Sequence, residues 1–468
     1  MSRFDYQLVV IGAGSGGLVA AEFAAKLGAR VALIEAQRDL GGECLHAGCV
    51  PSKALIHAAR IAWVAGHSEA LGIKAAPHVN FKRVMHHVAT TIKTIQDNHD
   101  NDAYYRDLGV DVIHGEARFT GQDTILVGDK NLRAKRFIIA TGSRPAVPNI
   151  AGLINDALLT NETVFQVKEV PDSLVVIGGG PIGCELGQAF AMLGAKVTIL
   201  QAAPQLLPRD EIEAALILEA SLKDMGIAVH LNAQIERIIY TNSSVTVRLK
   251  DGSYVRAAKL LVATGRIAST PQGLEKAGVN ANERGIVVDR HLQTSNKHIY
   301  AIGDCNGGMQ FTHAAGQQAV VAVQNSLIGL RKSFDINQIP WTTFTTPEIA
   351  HLGVIKAELD NKHVPYETVR ADFQDIDRAV TEKENGFIEI LLGQKSRILG
   401  ATVVGANAAE ILAQIVTAKS WDNFKGIVQA YPTYAGGLRQ AAANTNLEHL
   451  LSGFTGKILQ RYIRLRNK

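Results

Sequence analysis

Over much of its first two thirds the chain carries its apolar residues in short continuous runs. Leu8-Val9-Val10-Ile11 is one run, and Gly12, Gly14 and Gly17 follow it before an Ala-rich stretch. Leu174-Val175-Val176-Ile177 is another, followed by Gly178, Gly180 and Gly183. A four-residue apolar run that ends in glycines predicts a strand buried on both faces, and the Ala-rich stretch predicts a helix after the turn. The two stretches match without a gap, since Leu27-Gly28-Ala29 finds Leu193-Gly194-Ala195 and Val31 finds Val197. Each copy has a later partner, Phe137 to Gly142 and Leu260 to Gly265, both apolar and both ending in Ala-Thr-Gly. From about Trp341 the texture changes. The runs Gly386 to Leu391 and Ile398 to Val404 predict strands, and Ala408 to Ala418 predicts a helix. The fold class expected is α/β, with two Rossmann-like nucleotide-binding modules and a C-terminal α+β domain.

Length and composition narrow the function. The chain has 468 residues, too many for one ordinary core. Its net charge of +4 and its lack of a basic patch interleaved with aromatics argue against nucleic-acid binding. Met1 to Tyr6 run straight into the first strand, so no secretory signal is expected, and no apolar run reaches the length of a membrane span. Four cysteines are too few for a disulfide-stapled scaffold, and a cytoplasmic setting is expected.

Each glycine turn follows an apolar strand and opens a helix, the context in which such a turn binds a dinucleotide. Gly12 and Gly178 make the tight turn, Gly14 and Gly180 let backbone approach a pyrophosphate, and Gly17 and Gly183 let helix and strand pack closely. The pyrophosphate would sit on free N–H groups at the helix N-terminus. Glu35 closes the first copy, where a carboxylate can bind a ribose diol; Gln201 holds the same place in the second. Gln201 is neither the acid that favours NAD nor an arginine for a 2′-phosphate, so the expected nicotinamide cofactor is written NAD(P)H.

Cys44 and Cys49 lie a few residues beyond Glu35, in Gly41-Gly42-Glu43-Cys44-Leu45-His46-Ala47-Gly48-Cys49-Val50-Pro51-Ser52-Lys53. A C-x4-C spacing can bring two sulfurs into bonding range where the backbone is irregular, and Lys53 favours thiolate over thiol. Zinc is the poorer reading, because no second cysteine pair completes a site and only His46 and His57 are near. Cys184 and Cys305 read as small buried thiols.

These motifs together resemble the pyridine nucleotide-disulfide oxidoreductases, a family that includes glutathione reductase, dihydrolipoamide dehydrogenase and mercuric reductase. The cysteine segment carries most of the likeness, and Thr294 to Asp304 resembles the family's later FAD segment. The resemblance implies an FAD domain over 1–150 and 273–338, an NAD(P)H domain over 151–272 and a dimerisation domain over 339–468. It implies that Cys49 faces the flavin, that Cys44 is the outer, interchange thiol, and that Lys53 pairs with Glu185 beside the flavin. It places Gly42, Ala117, Thr141, Gly142, Asp304 and Ala314 at FAD, with Asp304 on the ribityl chain, and Gly265 at the second nucleotide. It also implies a homodimer whose subunits share the active site.

One departure bears on the acceptor. Where disulfide-reducing members carry His-Pro-Thr followed by Glu, this chain reads Tyr431-Pro432-Thr433 and then Gly436. Histidine titrates near neutral pH, whereas a phenol is a poor base there. Ordinary disulfide exchange is therefore expected to be slow. Tyr431, with the stretch Asp375 to Val380, resembles mercuric reductases, yet the chain has no cysteine after Cys305 where those carry a vicinal pair. The acceptor stays open between a disulfide, a thiol-bound metal and a quinone or oxygen, the last pair making the cysteines secondary. A redox-sensing binding protein is the alternative outside enzymes. In the tail, Lys457, Arg461, Arg464, Arg466 and Lys468 alternate with Ile458, Leu459, Tyr462, Ile463 and Leu465, a pattern open to weak membrane-surface contact or to a solvated helix.

Overall fold

The structure, a computed structural model, describes residues 4–154, 157–424, 426–443 and 454–466. They form two compact units, one drawn from Met1–Pro204 and Met225–Ile336, the other from Gln205–Asp224 and Asn337–Lys468.

In the first unit both predicted modules are present. Strand Tyr6–Ile11 lies between Val31–Glu35 and Lys130–Ile139, all parallel, with Val110–His114 beyond the former and Ile299–Ala301 beyond the latter. In the second module Ser173–Ile177 lies between Lys196–Leu200 and Lys259–Val262, and Ala228–His230 extends the sheet. The correspondence reaches single hydrogen bonds. Gly12 N–H donates to Ile34 O at 2.8 Å and Gly178 N–H to Leu200 O at 2.9 Å. Ala140 N–H donates to Ile11 O and Ala263 N–H to Ile177 O, both at 2.8 Å. Leu8, Val9, Val10, Val175 and Val176 are wholly buried, which is why these strands read as unbroken apolar runs.

The second unit holds a five-stranded antiparallel sheet. Its order is Trp341–Thr343, Glu348–Gly353, Ile398–Gly405, Phe387–Leu392 and Glu367–Asp372. Helix Ala408–Ala418 has the predicted bounds and packs Ile411, Leu412 and Ile415 into the core below the sheet. Helix Ile212–Asp224, which follows the second module's strands in sequence, joins this unit through polar contacts. Asp210 accepts from Trp341 Nε1 at 2.9 Å, Glu211 from Lys356 N–H at 2.7 Å, and Glu213 takes both ends of the Arg370 fork at 2.8 Å.

Residues Phe454–Arg466 are helical, and Ile458, Tyr462, Ile463 and Leu465 are exposed on it; Lys468 lies outside the described residues. Among the described residues no helix is long and apolar enough to cross a membrane.

His351 is wholly buried in the second unit, its ring against Trp341 and its Nδ1 2.8 Å from Thr402 Oγ1. Burial pulls its pKa from 6.5 down to about 4. The unfolded chain then binds the proton first, so this residue's contribution is complete above pH 6.5 and is lost as pH falls towards 4. Asp210, pushed up by burial from 3.8 to about 6, acts oppositely and gains as pH falls through that window. Thermal unfolding of wild type against His351→Gln isolates the first effect. The wild type should lose up to about 3 kcal/mol relative to the variant between the two ends of the window.

Candidate active site

Gly12 and Gly17 are fixed by their own chain. Gly12 has φ +102°, and a Cβ there would stand 2.4 Å from Ala140 O; a Cβ on Gly17 would stand 1.8 Å from Gly12 O. Gly178 and Gly183 repeat the arrangement, at 2.3 Å from Ala263 O and 1.9 Å from Gly178 O. The middle glycines differ. Around Gly14 the nearest protein atom is Gly42 Cα at 3.9 Å, and around Gly180 nothing lies within 4 Å. Protein packing therefore does not require glycine at these two positions. Each is the N-cap of a twelve-residue helix and gives it no side-chain cap, so the first-turn N–H groups face outward as an anion would need.

The ribose positions also correspond. Glu35 is buried at the end of its strand and accepts from Ala13 N–H at 2.7 Å and Gln37 N–H at 2.8 Å. Gln201 Oε1 accepts from Gly179 N–H at 3.0 Å, the matching contact in the second copy, made without charge. These residues fit a dinucleotide in each module. The first module also supplies the residues expected at FAD. Thr141 Oγ1 donates to Ser269 O at 2.6 Å, next to Gly142. Ala314 is buried in the first turn of helix Thr312–Val323. Asp304 accepts from the Ser143 hydroxyl through Oδ2. Ala117 opens strand Ala117–Gly121, and Gly265 takes φ +126° after the second Ala-Thr-Gly strand.

Gly41 and Gly42, both at positive φ, turn the chain into a short helix, Gly42–His46, that carries Cys44. Gly48 then starts helix Cys49–Gly66, so Cys49 sits at a helix N-terminus. His46 is turned to Leu40 O at 2.7 Å. Neither sulfur is in a disulfide, and the Cys49 thiol donates a hydrogen bond to Cys44. Cys44 is lowered to about 6, first by the hydrogen bond from Cys49 and then, against the cost of burial, by the hydroxyls of Thr312 and Ser15. Cys49, the donor of that bond, is pushed well above the ordinary thiol range. Cys44 is half-buried, and Cys49 opens on the side that the resemblance gives to the flavin. Its sulfur is 3.3 Å from Thr312 Oγ1, two residues before Ala314.

Lys53 lies one turn after Cys49 and on the same helix face, and its Nζ is 2.7 Å from Glu185 Oε2. Glu185 is buried on helix Pro181–Met192, which opens from the second glycine turn. One ion pair thus joins the cysteine helix to the second module. Tyr431 belongs to the second unit, where it is exposed and donates its hydroxyl to Asp377 Oδ2 at 2.8 Å. That carboxylate raises the phenol above its ordinary pKa. Cys184 and Cys305 are fully buried and donate to backbone carbonyls. Sequence reasoning missed Ser15, Thr312, Glu43 and Arg266, which all reach the cysteine turn or its neighbours. Glu43 and Ser15 lie inside motifs that were read, while Thr312 and Arg266 carried no local signal.

The glycines separate folding from binding. Gly17→Ala forces backbone apart and should abolish stable folding, seen as lost circular dichroism. Gly14→Ala should fold with a near-native spectrum yet bind FAD at least about tenfold more weakly, seen as a low flavin-to-protein absorbance ratio after dialysis.

Comparison with known proteins agrees with this geometry. The family model for pyridine nucleotide-disulphide oxidoreductases matches residues 6–319, and that for the family's dimerisation domain matches residues 339–442. Mercuric reductase of Bacillus cereus is 32% identical over 457 residues, covering 94% of this chain and 71% of the relative. Dihydrolipoyl dehydrogenase of Geobacillus stearothermophilus is 35% identical over 424 residues, covering 88% and 89%. Among solved structures, the Cu(II) complex of the HOCl-induced flavoprotein disulfide reductase RclA from Escherichia coli superposes with a TM-score of 0.83 at 28% identity, covering 95% of this chain and 100% of that one. LpdA from Mycobacterium tuberculosis gives 0.86 at 26% identity, covering 94% and 99%. The chain belongs to the pyridine nucleotide-disulphide oxidoreductases, enzymes that work with FAD and NAD(P)H, and it carries their dimerisation domain.

Proposed function

We propose that this enzyme uses NAD(P)H to reduce a thiophilic metal ion at the Cys44–Cys49 pair, as a cytoplasmic homodimer. Bound FAD would supply the hydride chemistry that joins nicotinamide to sulfur. Gly12, Gly14, Gly17, Glu35 and Asp304 would hold FAD, and Gly178, Gly180, Gly183 and Gln201 the nicotinamide nucleotide.

The observation that carries this reading is the state of Tyr431. Reducing a disulfide releases a thiolate that must be protonated, and the reverse reaction needs a base. At the position where disulfide-reducing relatives place a histidine, this chain has a phenol already donating to Asp377 and raised by it. It cannot accept a proton near neutral pH. A soft cation makes no such demand: it binds the pair as thiolates, both thiol protons leave to solvent, and as the Cys44–Cys49 sulfur–sulfur bond forms two electrons pass to one Hg(II) or singly to two Cu(II), with no proton delivered to the metal. The lowered thiol of Cys44 supplies thiolate at neutral pH for that capture. Mercuric reductases among the relatives and the Cu(II) complex of RclA among the structural neighbours support a metal acceptor.

The test is NAD(P)H oxidation by the purified holoenzyme with Hg(II), Cu(II), lipoamide, glutathione disulfide, quinones and oxygen. Turnover with a metal ion should exceed that with either disulfide by at least about tenfold, and Cys44→Ala should remove it. Faster turnover with lipoamide would instead make this a dihydrolipoamide dehydrogenase. Quinone or oxygen turnover that survives Cys44→Ala would make the cysteines secondary.

A further inference from the structure

Arg266 follows the Ala263-Thr264-Gly265 turn that closes the second module's central strands. It begins strand Arg266–Ala268, which pairs with Ser143–Pro145, the segment just after the matching turn of the first module. Its side chain is only 10% exposed. Nε donates to Ser143 Oγ at 2.7 Å and Nη2 to Ser143 O at 2.9 Å. The fork, Nη1 and Nη2, grips both carboxylate oxygens of Glu43.

Glu43 is the residue before Cys44. Its Oε1 also accepts from Asn161 Nδ2 at 2.5 Å, and the same Nδ2 reaches Ala47 O at 3.3 Å, at the end of the cysteine helix. On the other side, Ser143 Oγ donates to Asp304, and Arg266 Nε stands 3.6 Å from Asp304 Oδ2. One guanidinium therefore links the turn that carries Cys44 to the carboxylate expected on the flavin's ribityl chain. A bidentate Arg–carboxylate pair fixes orientation as well as distance. It also cancels charge: a partly buried carboxylate one residue from a thiol disfavours thiolate unless a cation balances it.

We propose that Glu43 and Arg266 are a positioning pair for the dithiol, holding the Cys44 turn against Asp304 and neutralising the carboxylate one residue before Cys44. The proposal rests on the reading of Cys44 and Cys49 as the redox pair but not on the identity of the acceptor.

The test is alkylation of the reduced holoenzyme by iodoacetamide across the thiol titration range, with Cys44 modification followed by peptide mass and thermal unfolding measured in parallel. Arg266→Met leaves the carboxylate uncompensated and should raise the midpoint of Cys44 alkylation by about one pH unit, roughly tenfold slower near neutrality. Arg266→Lys should fall between, because an ammonium cannot grip both oxygens. Glu43→Gln leaves the cation without its carboxylate and should move the midpoint the other way. The double variant Glu43→Gln/Arg266→Met should return it towards wild type. A scaffolding role would lower the melting temperature of each variant without this opposed pair of shifts, and that result would overturn the proposal. Should Arg266→Met fail to fold, Glu43→Gln decides alone, and an unmoved midpoint counts against the pair. Wild-type Cys44 that resists alkylation throughout would sink the dithiol assignment beneath it, whatever metal turnover shows.

Discussion

Two carbonyl oxygens, Gly12 O and Gly178 O, set the frame of the first unit. Each occupies the place where a Cβ on Gly17 or Gly183 would stand, so each helix can be drawn against the start of its own turn. That approach aims the helix N-terminus at the space beyond the strand ends. Ser15, the first residue of one such helix, thereby reaches Cys44, and Glu185, in the other, reaches Lys53. A larger residue at Gly17 or Gly183 would displace the chemistry before it touched any reacting atom.

The repeat explains both what the modules share and where they part. Glu35 and Gln201 make the same contact to the backbone N–H after the first glycine of their turns. The geometry of the ribose position is thus kept while its charge is removed. A carboxylate there favours a ribose diol and repels a 2′-phosphate; an amide of the same shape and contact does neither strongly. The second module is accordingly less committed between NADH and NADPH than the first is to an unphosphorylated ribose.

Much of this was legible in the chain, for definite reasons. Strands buried on both faces leave unbroken apolar runs, and helix Ala408–Ala418 leaves an amphipathic one. The glycine turns follow from local sterics, and Glu35 from its place at a strand end. The contacts that tune the cysteines were not legible. Thr312 meets Cys49 across 263 residues, and Arg266 meets Glu43 across 223. Neither threonine nor arginine belongs to a pattern with a period, and only the completed fold brings them to the site.

Under the proposed function the groups around the dithiol serve an acceptor that takes thiolate. Thr312 and Ser15 hydrogen-bond Cys44 as hydroxyls, which stabilise a thiolate but do not titrate near neutral pH. Lys53 is paired with Glu185, and Arg266 with Glu43. The hydroxyls of Thr312 and Ser15 favour the thiolate of Cys44. Under the proposed function a soft cation would meet in Cys44 the ligand it prefers.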